Sequence, residues 1–290
     1  MNLERLALGT AQFGLRYGIA NRSGQVASGE AALILRQARA AGWDTLDTAV
    51  AYGDSEARLG EIGVGSWRIV SKLPRCPTPG PSAVSWAETE LRGALHRLRV
   101  PRLHGLLLHQ PRQLLEPGGE ELFRALERLK EQGLVEKTGV SVYGPPDLEA
   151  LTRFRFDLVQ APLNVLDRRM IESGWLARFR QAGVEIHVRS AFLQGLLLMK
   201  PGDRPPAFDR WSLLWTRWHR WLEASGTTPL QACLGYVMSQ SLVDRVVVGV
   251  DSARQFQEIL AAAASAAAAP PDDLKSSDED LINPSRWKSA

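Results

Sequence analysis

Four polar residues that could carry out proton transfer stand close to the ends of apolar runs in the sequence. Asp47 ends the run TLD, Lys72 lies in RIVSKL, His109 follows HGLLL, and Tyr52 comes shortly after Asp47. A polar side chain at the end of a buried strand costs free energy unless it is paired or functional. Because the runs are consecutive, we expect the four side chains to converge at one end of a sheet.

These residue types together predict a proton donor aimed at a developing alkoxide. A tyrosine has a pKa of about 10 in water and is a weak acid at neutral pH. The Lys72 ammonium would stabilise the Tyr52 phenolate, Asp47 would hold the lysine in an ion pair, and His109 would orient a carbonyl oxygen. Reduction of a carbonyl by hydride needs such a group. Taken singly, His109 is also explained as a structural hydrogen-bonding residue and Lys72 as a solvated surface charge.

The elements that must position these residues alternate between apolar runs and amphipathic segments. Eight runs predict strands: RLALGT, TLDTAV, RIVSKL, HGLLLHQ, KTGVSVY, DLVQAPLN, EIHVRSAF and RVVVGV. Three segments between them predict helices: SGEAALILRQARAAG, SAVSWAETELRGALHRL and EELFRALERLKEQG. The runs are apolar throughout, as expected of parallel strands that are buried on both faces. This order favours an α/β fold, a single (β/α)8 TIM barrel, in which function collects at the carboxyl ends of the strands.

A doubly wound sheet that binds a dinucleotide is the alternative for such an alternation. That fold carries G-x-G-x-x-G after its first strand, whereas the glycines of LGTAQFGLRYG are spaced differently. No linker divides the 290 residues, so we expect one barrel domain over residues 1–290.

The composition argues against several classes of function. The net charge is only +3, and lysine and arginine form no long block, so neither nucleic acid nor a membrane is an expected partner. Cys76 and Cys233 form no CxxC pair, which argues against a zinc site or a disulfide scaffold, and we predict no metal. The N-terminus lacks the apolar core of a signal peptide, and no apolar run reaches the roughly 20 residues that span a bilayer. We therefore expect a cytoplasmic protein, and its oligomeric state stays open.

A Trp-rich insert near residues 200–225 follows the seventh strand. Its Trp211, Trp215, Trp218 and Trp221 recur on one stripe of a predicted helix. Packing of these rings against the barrel is the favoured interpretation, and a wall of the substrate pocket is the other.

The C-terminal tail, residues 270–290, is acidic and follows a run of alanines. Alanine favours helix, and Pro270 with Pro271 should end it. We expect the tail to fold back onto the protein through Leu281, Ile282 and Trp287.

The order and spacing of several motifs resemble the aldo/keto reductase superfamily. The motifs are LDTAVAYGDSE, SKL, LLLHQP, KTGVSVYG, DLVQAPLNVLDRR and VVVGV, and the resemblance runs from about residue 5 to residue 260. It implies an NAD(P)H-binding barrel with a catalytic tetrad of Asp47, Tyr52, Lys72 and His109. These are the residues that the positions of the strand ends select independently. Tyr52 would be the general acid and base, supported by Lys72 and Asp47, and His109 would polarise the substrate carbonyl.

The resemblance also implies residues that contact the cofactor. Ser141 and Gln160 match positions that bond the nicotinamide carboxamide, although a structural role at a strand end explains either one as well. VRSAFLQG matches the segment that runs along the nicotinamide and pyrophosphate, and the final turn matches the part that binds the adenosine end. The full implied set is Thr10, Asp47, Ser141, Gln160, Arg189, Ser190, Phe192, Leu193, Gly249, Asp251, Ser252 and Gln255.

Arg189 stands where the superfamily usually has an aromatic ring that stacks on the nicotinamide. A guanidinium can stack on the neutral reduced ring but is repelled by the oxidised, cationic one. Two hypotheses follow: Arg189 weakens binding of the oxidised cofactor, or it reaches an anionic group of the substrate.

The turn after the eighth strand departs from the superfamily at the adenosine end. Asp251 stands where NADP-preferring members often have Lys, Arg or Ser, and a carboxylate suits a free ribose hydroxyl better than a 2′-phosphate. Arg254 could compensate, and Ile259 replaces a common Asn that contacts adenine. The resemblance implies NADP(H) as the default cofactor, with NAD(H) as the alternative.

The sequence therefore predicts an oxidoreductase that reduces an aldehyde or ketone to an alcohol by hydride transfer from NAD(P)H. GLRYGIAN and the Trp-rich insert are expected to shape the pocket, and their Arg and Trp content would suit a sugar-derived carbonyl. The alternatives are an NAD-dependent aldose dehydrogenase that works in the oxidative direction, and a non-catalytic regulatory barrel that senses the cofactor.

Overall fold

The eight apolar runs form the parallel strands of a closed barrel. The computed structural model describes residues 3–77, 80, 82–265 and 268–287. The strands neighbour one another in chain order, and the last pairs with the first. They are β1 (Leu6–Gly9), β2 (Thr45–Asp47), β3 (Arg68–Leu73), β4 (Leu103–Leu108), β5 (Val135–Ser141), β6 (Leu158–Pro162), β7 (Glu185–Arg189) and β8 (Arg245–Gly249). The prediction of a (β/α)8 barrel is confirmed.

Helices connect the strands, and α2, α4 and α5 coincide with the three predicted amphipathic segments. The α-helices are α1 (Ala11–Gly14), α2 (Ser28–Ala40), α3 (Ser55–Ile62), α4 (Ala83–Leu98), α5 (Gly119–Glu131), α6 (Pro145–Ala150), α7 (Arg169–Glu172), α8 (Trp175–Gln181), α9 (Ser212–Ser225), α10 (Pro229–Met238), α11 (Ala253–Ala264) and α12 (Glu279–Ile282). Short 3-10 helices cover Leu3–Arg5, Pro111–Leu115, Leu193–Leu198, Pro206–Trp211, Asp272–Leu274 and Pro284–Arg286. Among the described helices, none is long and apolar enough to cross a bilayer.

The interior of the barrel is packed rather than hollow. Val70, Leu107 and Leu158 contact one another as a separate buried cluster between the two ends of the barrel. A Cβ added to Gly105 would lie 3.2 Å from both Val70 and Leu158, so the glycine leaves room for these side chains. The strands are buried on both faces because helices cover the outside, which explains their continuously apolar sequence.

The amino-terminal ends of the strands are closed by a charged network. Glu185 accepts hydrogen bonds from Lys137 and from the rings of His104 and His187, the His187 bond measuring 2.7 Å. Burial alone would raise the pKa of Glu185, but these partners hold it well below its usual range. This network stabilises one end of the barrel and leaves the carboxyl end for function.

The Trp-rich insert forms the core of a hydrophobic cluster that is separate from the main core of the barrel. We call it the second hydrophobic cluster. Trp218 is completely buried and Trp215 is nearly so, and the indole N–H of Trp215 donates to the Phe208 carbonyl at 2.9 Å. Trp211 and Trp221 pack at the margin of the same cluster. The stripe therefore packs against the protein, as the favoured interpretation of the sequence held.

The C-terminal tail covers this cluster. Leu281 and Ile282 are fully buried within it, and Trp287 packs on its edge. The Arg210 side chain of the insert pairs with Asp280 at 2.9 Å, which ties the tail to the insert. Residues 288–290 of the expected tail lie outside the described residues.

The prediction that the alanine run stays helical up to Pro270 is wrong in its last part. Helix α11 ends at Ala264, and Ser265 adopts an extended conformation with ψ of 144°. The Ser265 hydroxyl donates to the Ala261 carbonyl at 3.0 Å, a local bond by which serine competes with helix continuation. Residues 266 and 267 lie outside the described part of the chain.

Candidate active site

A buried ion pair lies at the carboxyl ends of β2 and β3. The Lys72 ammonium donates to Asp47 Oδ1 at 2.7 Å and to the Thr48 carbonyl at 2.9 Å, and its side chain is only 1% exposed. The other carboxylate oxygen, Asp47 Oδ2, accepts a 2.7 Å bond from the Gln160 amide on β6. Both oxygens of Asp47 are thus occupied, and the carboxylate holds the lysine in place.

The loop that carries Tyr52 is fixed by two glycines that approach each other closely. A Cβ on Gly14 would lie 1.7 Å from the Tyr52 carbonyl oxygen, so no other residue fits there. Gly53 has a φ of +56°, and a Cβ on it would lie 2.4 Å from the Gly14 carbonyl. The end of α1 therefore packs directly on the loop and sets where the Tyr52 ring stands.

Ser55 and Glu56 do more than begin a helix. The Ser55 hydroxyl donates to the Thr10 carbonyl at 2.9 Å, which ties the start of α3 to the end of β1. The Glu56 carboxylate is buried and accepts from Ser71 at 2.6 Å and from Arg97 at 2.7 Å. These bonds join α3 to β3 and α4, so the helix after Tyr52 is anchored on three sides.

The four residues of the predicted tetrad lie together. The Tyr52 and His109 rings meet edge to face with centroids 6.0 Å apart. The Lys72 ammonium lies 5.2 Å from the centroid of the Tyr52 ring. Within the described residues, no protein atom hydrogen-bonds to the Tyr52 hydroxyl, while Tyr52 itself lines a cavity. The hydroxyl can therefore donate to a ligand.

The surroundings perturb the pKa values of three of these groups. Burial and then the Asp47 charge raise the pKa of Tyr52, opposite to the lowering that a nearby lysine predicts, so the phenol is protonated at neutral pH. Burial lowers the pKa of Lys72, and the contact with Asp47 opposes that shift. Burial and then the charges of Lys72 and Arg189 lower the pKa of His109 to about 4, so this imidazole is neutral. The arrangement is a protonated phenol beside a held lysine and a neutral histidine.

A cavity of about 320 Å³ extends from Tyr52 and Asp47 to the start of α11. Eight of the predicted cofactor residues line it: Thr10, Asp47, Arg189, Ser190, Phe192, Gly249, Asp251 and Gln255. It thus connects Tyr52 and Asp47 with the turn after β8.

Four predicted cofactor residues do not line this cavity. Gln160 is fully buried and donates to Asp47, and Ser141 is a weak partner of Gln160 at 3.5 Å. Leu193 is buried in the second hydrophobic cluster. Ser252 caps α11 by accepting a bond from the Gln255 N–H at 3.2 Å. Each of them has a structural partner in the protein.

The far end of the cavity carries two acidic residues, Asp251 and Glu258. Asp251 accepts a 3.2 Å bond from Asn21, and burial raises its pKa. The side chain of Arg254 is 85% exposed and lies 3.8 Å from Glu258. Ile259 also lines this end, where the superfamily commonly has a polar Asn.

Several individual residues of the site were not predicted from the sequence. Tyr17 and Asn21, from the segment that was expected to shape the pocket, line the cavity. Gln12 also lines it and covers Gly249 so closely that a Cβ there would lie 2.4 Å from the Gln12 amide nitrogen. Glu56 lies in the LDTAVAYGDSE motif, but its pairing with Arg97 has no local signal in the sequence, because it depends on two helices meeting. Among the described residues, no group of three or more His, Cys, Asp or Glu side chains could hold a metal.

Comparisons with known proteins agree with the barrel fold. A Pseudomonas aeruginosa protein assigned to the aldo-keto reductases is 26% identical, with a TM-score of 0.66 over 90% of this chain and 89% of its own. The aldo-keto reductase AKR11C1 from Bacillus halodurans, in its holo form, is 21% identical, with a TM-score of 0.70 over 93% and 89% of the two chains, and this likeness concerns the fold. None of the curated proteins compared with the chain matches it significantly. The sequence profile of the aldo/keto reductase family matches residues 5–279, nearly the whole chain. The protein therefore belongs to the aldo/keto reductase family of oxidoreductases.

Proposed function

We propose that the protein reduces an aldehyde or ketone to an alcohol by hydride transfer, with Tyr52 as the general acid. The family acts on small-molecule carbonyl compounds and uses nicotinamide cofactors. The observation that carries the proposal is the buried Asp47–Lys72 pair beneath a cavity-lining Tyr52 whose hydroxyl has no hydrogen-bond partner among the described residues. Burying an ion pair of this kind costs free energy. Stabilisation of the negative charge that would develop on Tyr52 explains why the pair lies there.

Tyr52 supplies the proton. When bound, a reduced nicotinamide supplies the hydride. The Tyr52 O–H donates to the carbonyl oxygen of the substrate, and its proton moves to that oxygen as the alkoxide develops. Because the pKa of Tyr52 is raised, the phenol enters the reaction protonated. The phenolate that remains takes a proton from solvent before the next turnover.

Lys72 and His109 assist Tyr52 in different ways. The Lys72 ammonium, 5.2 Å from the ring centroid, stabilises the phenolate once the proton has left. Asp47 keeps the lysine charged and fixed through the 2.7 Å pair. The neutral His109 ring packs edge to face on Tyr52, and it would bond the carbonyl oxygen without adding to the positive charges of Lys72 and Arg189.

The walls of the cavity suit a nicotinamide dinucleotide. Thr10, Ser190 and Phe192 would flank its reactive end, and Gly249, Asp251 and Gln255 would contact the adenosine end. NADP(H) is the default expected from the superfamily. Asp251 and Glu258 oppose a 2′-phosphate by charge, and the exposed Arg254 could offset them. We therefore expect NADH to compete effectively with NADPH.

The proposal is tested with a panel of aldehydes, ketones, ketoses and aldoses, assayed with NADPH and with NADH, and the aldoses are also assayed with NADP+ and with NAD+. We expect reduced cofactor to be consumed and the alcohol to form with at least one class of carbonyl. If only aldoses are turned over, and only with the oxidised cofactor, the activity is that of an aldose dehydrogenase and the reductase proposal is rejected. Binding of NADPH without turnover of any carbonyl would favour a regulatory barrel that senses the cofactor.

A further inference from the structure

Arg189 places a positive charge on the wall of the cavity at its catalytic end. The residue ends β7 and lines the cavity together with Tyr52 and Asp47. Burial and the Lys72 charge are the larger causes that lower the pKa of His109, and the Arg189 charge lowers it further. The field of Arg189 therefore reaches the tetrad. Within the described residues, no carboxylate lies within ion-pair distance of Arg189.

The Arg189 guanidinium is held in place but is not saturated. It stacks on the Tyr143 ring at 4.8 Å and donates to the Val142 carbonyl at 2.9 Å and to the Ser190 hydroxyl at 3.2 Å. A guanidinium has five N–H donors, so the two bonds leave three without a partner in the described part of the protein. A rigid cation with free donors binds a carboxylate or phosphate with little loss of side-chain entropy.

The charges at this end of the cavity do not balance. Lys72 and Arg189 are cations, His109 is neutral, and Asp47 is the one carboxylate of the group, with both oxygens already bonded to Lys72 and Gln160. The other acidic wall residues, Asp251 and Glu258, lie at the far end with α11. A ligand anion next to Tyr52 would restore the balance.

We infer that Arg189 binds an anionic group, a carboxylate or a phosphate, that the substrate carries close to its reacting carbonyl. The inference rests on the proposed function in that it places the substrate at Tyr52. It narrows the substrates to acidic carbonyl compounds, such as oxo acids, semialdehydes with a carboxylate, or phosphorylated sugars. Arg189 would fix the substrate by a charge-assisted bond and so orient the carbonyl toward the Tyr52 hydroxyl.

The first test measures binding in the NADPH-saturated protein and needs no turnover. Benzoate and benzamide have the same shape and differ in charge. We expect benzoate to bind the wild type at least about tenfold more tightly than benzamide, because bonds to charged groups are the stronger ones. Arg189→Gln should bring the two affinities within about threefold, and Arg189→Lys should restore part of the difference because it keeps the charge.

The second test measures turnover of succinic semialdehyde against its amide, 4-oxobutanamide. We expect kcat/KM of the wild type to favour the acid by about 10- to 100-fold, and Arg189→Gln to remove most of that ratio. Arg178→Gln is the matched control, because Arg178 also stacks on an aromatic ring, at 5.0 Å from Trp175, but lies on α8 outside the cavity. Its ratio should equal that of the wild type.

The outcomes separate the inference from the reaction. An acid-to-amide ratio near one in the wild type, or one that Arg189→Gln leaves unchanged, overturns the inference even if both aldehydes are reduced. A loss of NADPH affinity in Arg189→Gln without a change of that ratio would overturn it too, and would make the cofactor phosphates the anion that Arg189 binds. Binding of benzoate that depends on Arg189, in a protein that reduces no carbonyl, would support the anion site and reject the reductase.

Discussion

At the scale of single residues, the identity of the tetrad and the ion pair between Asp47 and Lys72 could be inferred from the sequence, but the other bonds of these residues could not. Asp47, Tyr52, Lys72 and His109 were selected because they follow buried runs, and the structure brings all four together. That Lys72 also bonds the Thr48 carbonyl, and does not bond the Tyr52 hydroxyl, depends on side-chain distances that spacing does not encode. In the proposed mechanism, the lysine would therefore assist Tyr52 through its field and not through a direct bond.

His109 should stay neutral across the working range of pH. Its pKa of about 4 lies well below the ordinary value for histidine, and the raised pKa of Tyr52 keeps the acid protonated above pH 9. We expect kcat/KM for reduction of a non-ionising carbonyl to be flat from about pH 5.5 to 8. A profile measured for the wild type and His109→Gln checks this. An inflection between pH 6 and 7 that disappears in the variant would show a histidine with an ordinary pKa.

Asp251 should set the balance between the two nucleotides. Replacing it by serine removes a carboxylate from the far end of the cavity, where the proposal puts the adenosine, and we expect NADPH to gain about 5- to 30-fold in affinity relative to NADH, from about 1–2 kcal/mol of lost repulsion. Dissociation constants from quenching of tryptophan fluorescence measure the ratio. Asp203→Ser, on an exposed loop away from the cavity, is the control and should leave the ratio unchanged. An unchanged ratio in Asp251→Ser would mean that the carboxylate does not face the ribose.

At the scale of elements, the periodicity and composition of the sequence locate all eight strands. They do not predict the contacts between one element and another. The continuous apolar runs identify buried parallel strands without any knowledge of their partners. The bond from Ser55 to Thr10 and the pairing of Glu56 with Arg97 depend on which helices lie side by side. The end of α11 was misplaced because a serine hydroxyl, rather than a proline, interrupts the alanine run.

Glu56 should be needed to hold α3 and the loop before it. We expect Glu56→Gln to lower the free energy of unfolding by about 1–3 kcal/mol, because it removes a buried carboxylate from Ser71 and Arg97. The turnover number should fall as well, since α3 begins directly after the Tyr52 loop. Urea unfolding measures the first effect, and Glu61→Gln, exposed on the same helix, should stay within about 0.5 kcal/mol of the wild type. Equal unfolding midpoints for Glu56→Gln and Glu61→Gln would show that the network does not stabilise the helix.

At the scale of the whole molecule, the charged network and the candidate active site lie at opposite ends of the barrel. The charged network around Glu185 closes the amino-terminal ends of the strands, and the tetrad and cavity occupy the opposite ends. Eight strands and their order predicted this division, because barrels of this type place function at the carboxyl ends. The second cluster, in which the tail covers the Trp-rich insert, joins segments far apart in sequence, and the apolar residues of the tail were the sequence signal for it.

The buried His187 makes the folded protein sensitive to acid. Burial lowers its pKa, so the unfolded chain binds more protons than the folded one below about pH 6.5. Stability from this residue is therefore present above that pH and decreases as the pH falls, by about 1 kcal/mol between pH 6.5 and 5.5. Guanidinium unfolding at both values of pH measures the decrease.

The corresponding variants identify the source of that decrease. His187→Asn should fold less stably but show a smaller difference between the two values of pH. The exposed His96→Gln should retain the wild-type difference. If His187→Asn does not fold, a wild-type stability that is constant between pH 6.5 and 5.5 still contradicts the account.

The central claim is that Tyr52 donates the proton in a carbonyl reduction, and single-turnover reduction by Tyr52→Phe tests it most directly. The variant removes only the hydroxyl, so its affinity for NADPH should equal that of the wild type within about threefold. Its rate of reduced-cofactor consumption with the best carbonyl of the panel should fall by at least about 100-fold, as expected for the loss of a general acid. A rate within a few fold of the wild type, with cofactor binding intact, would contradict the account.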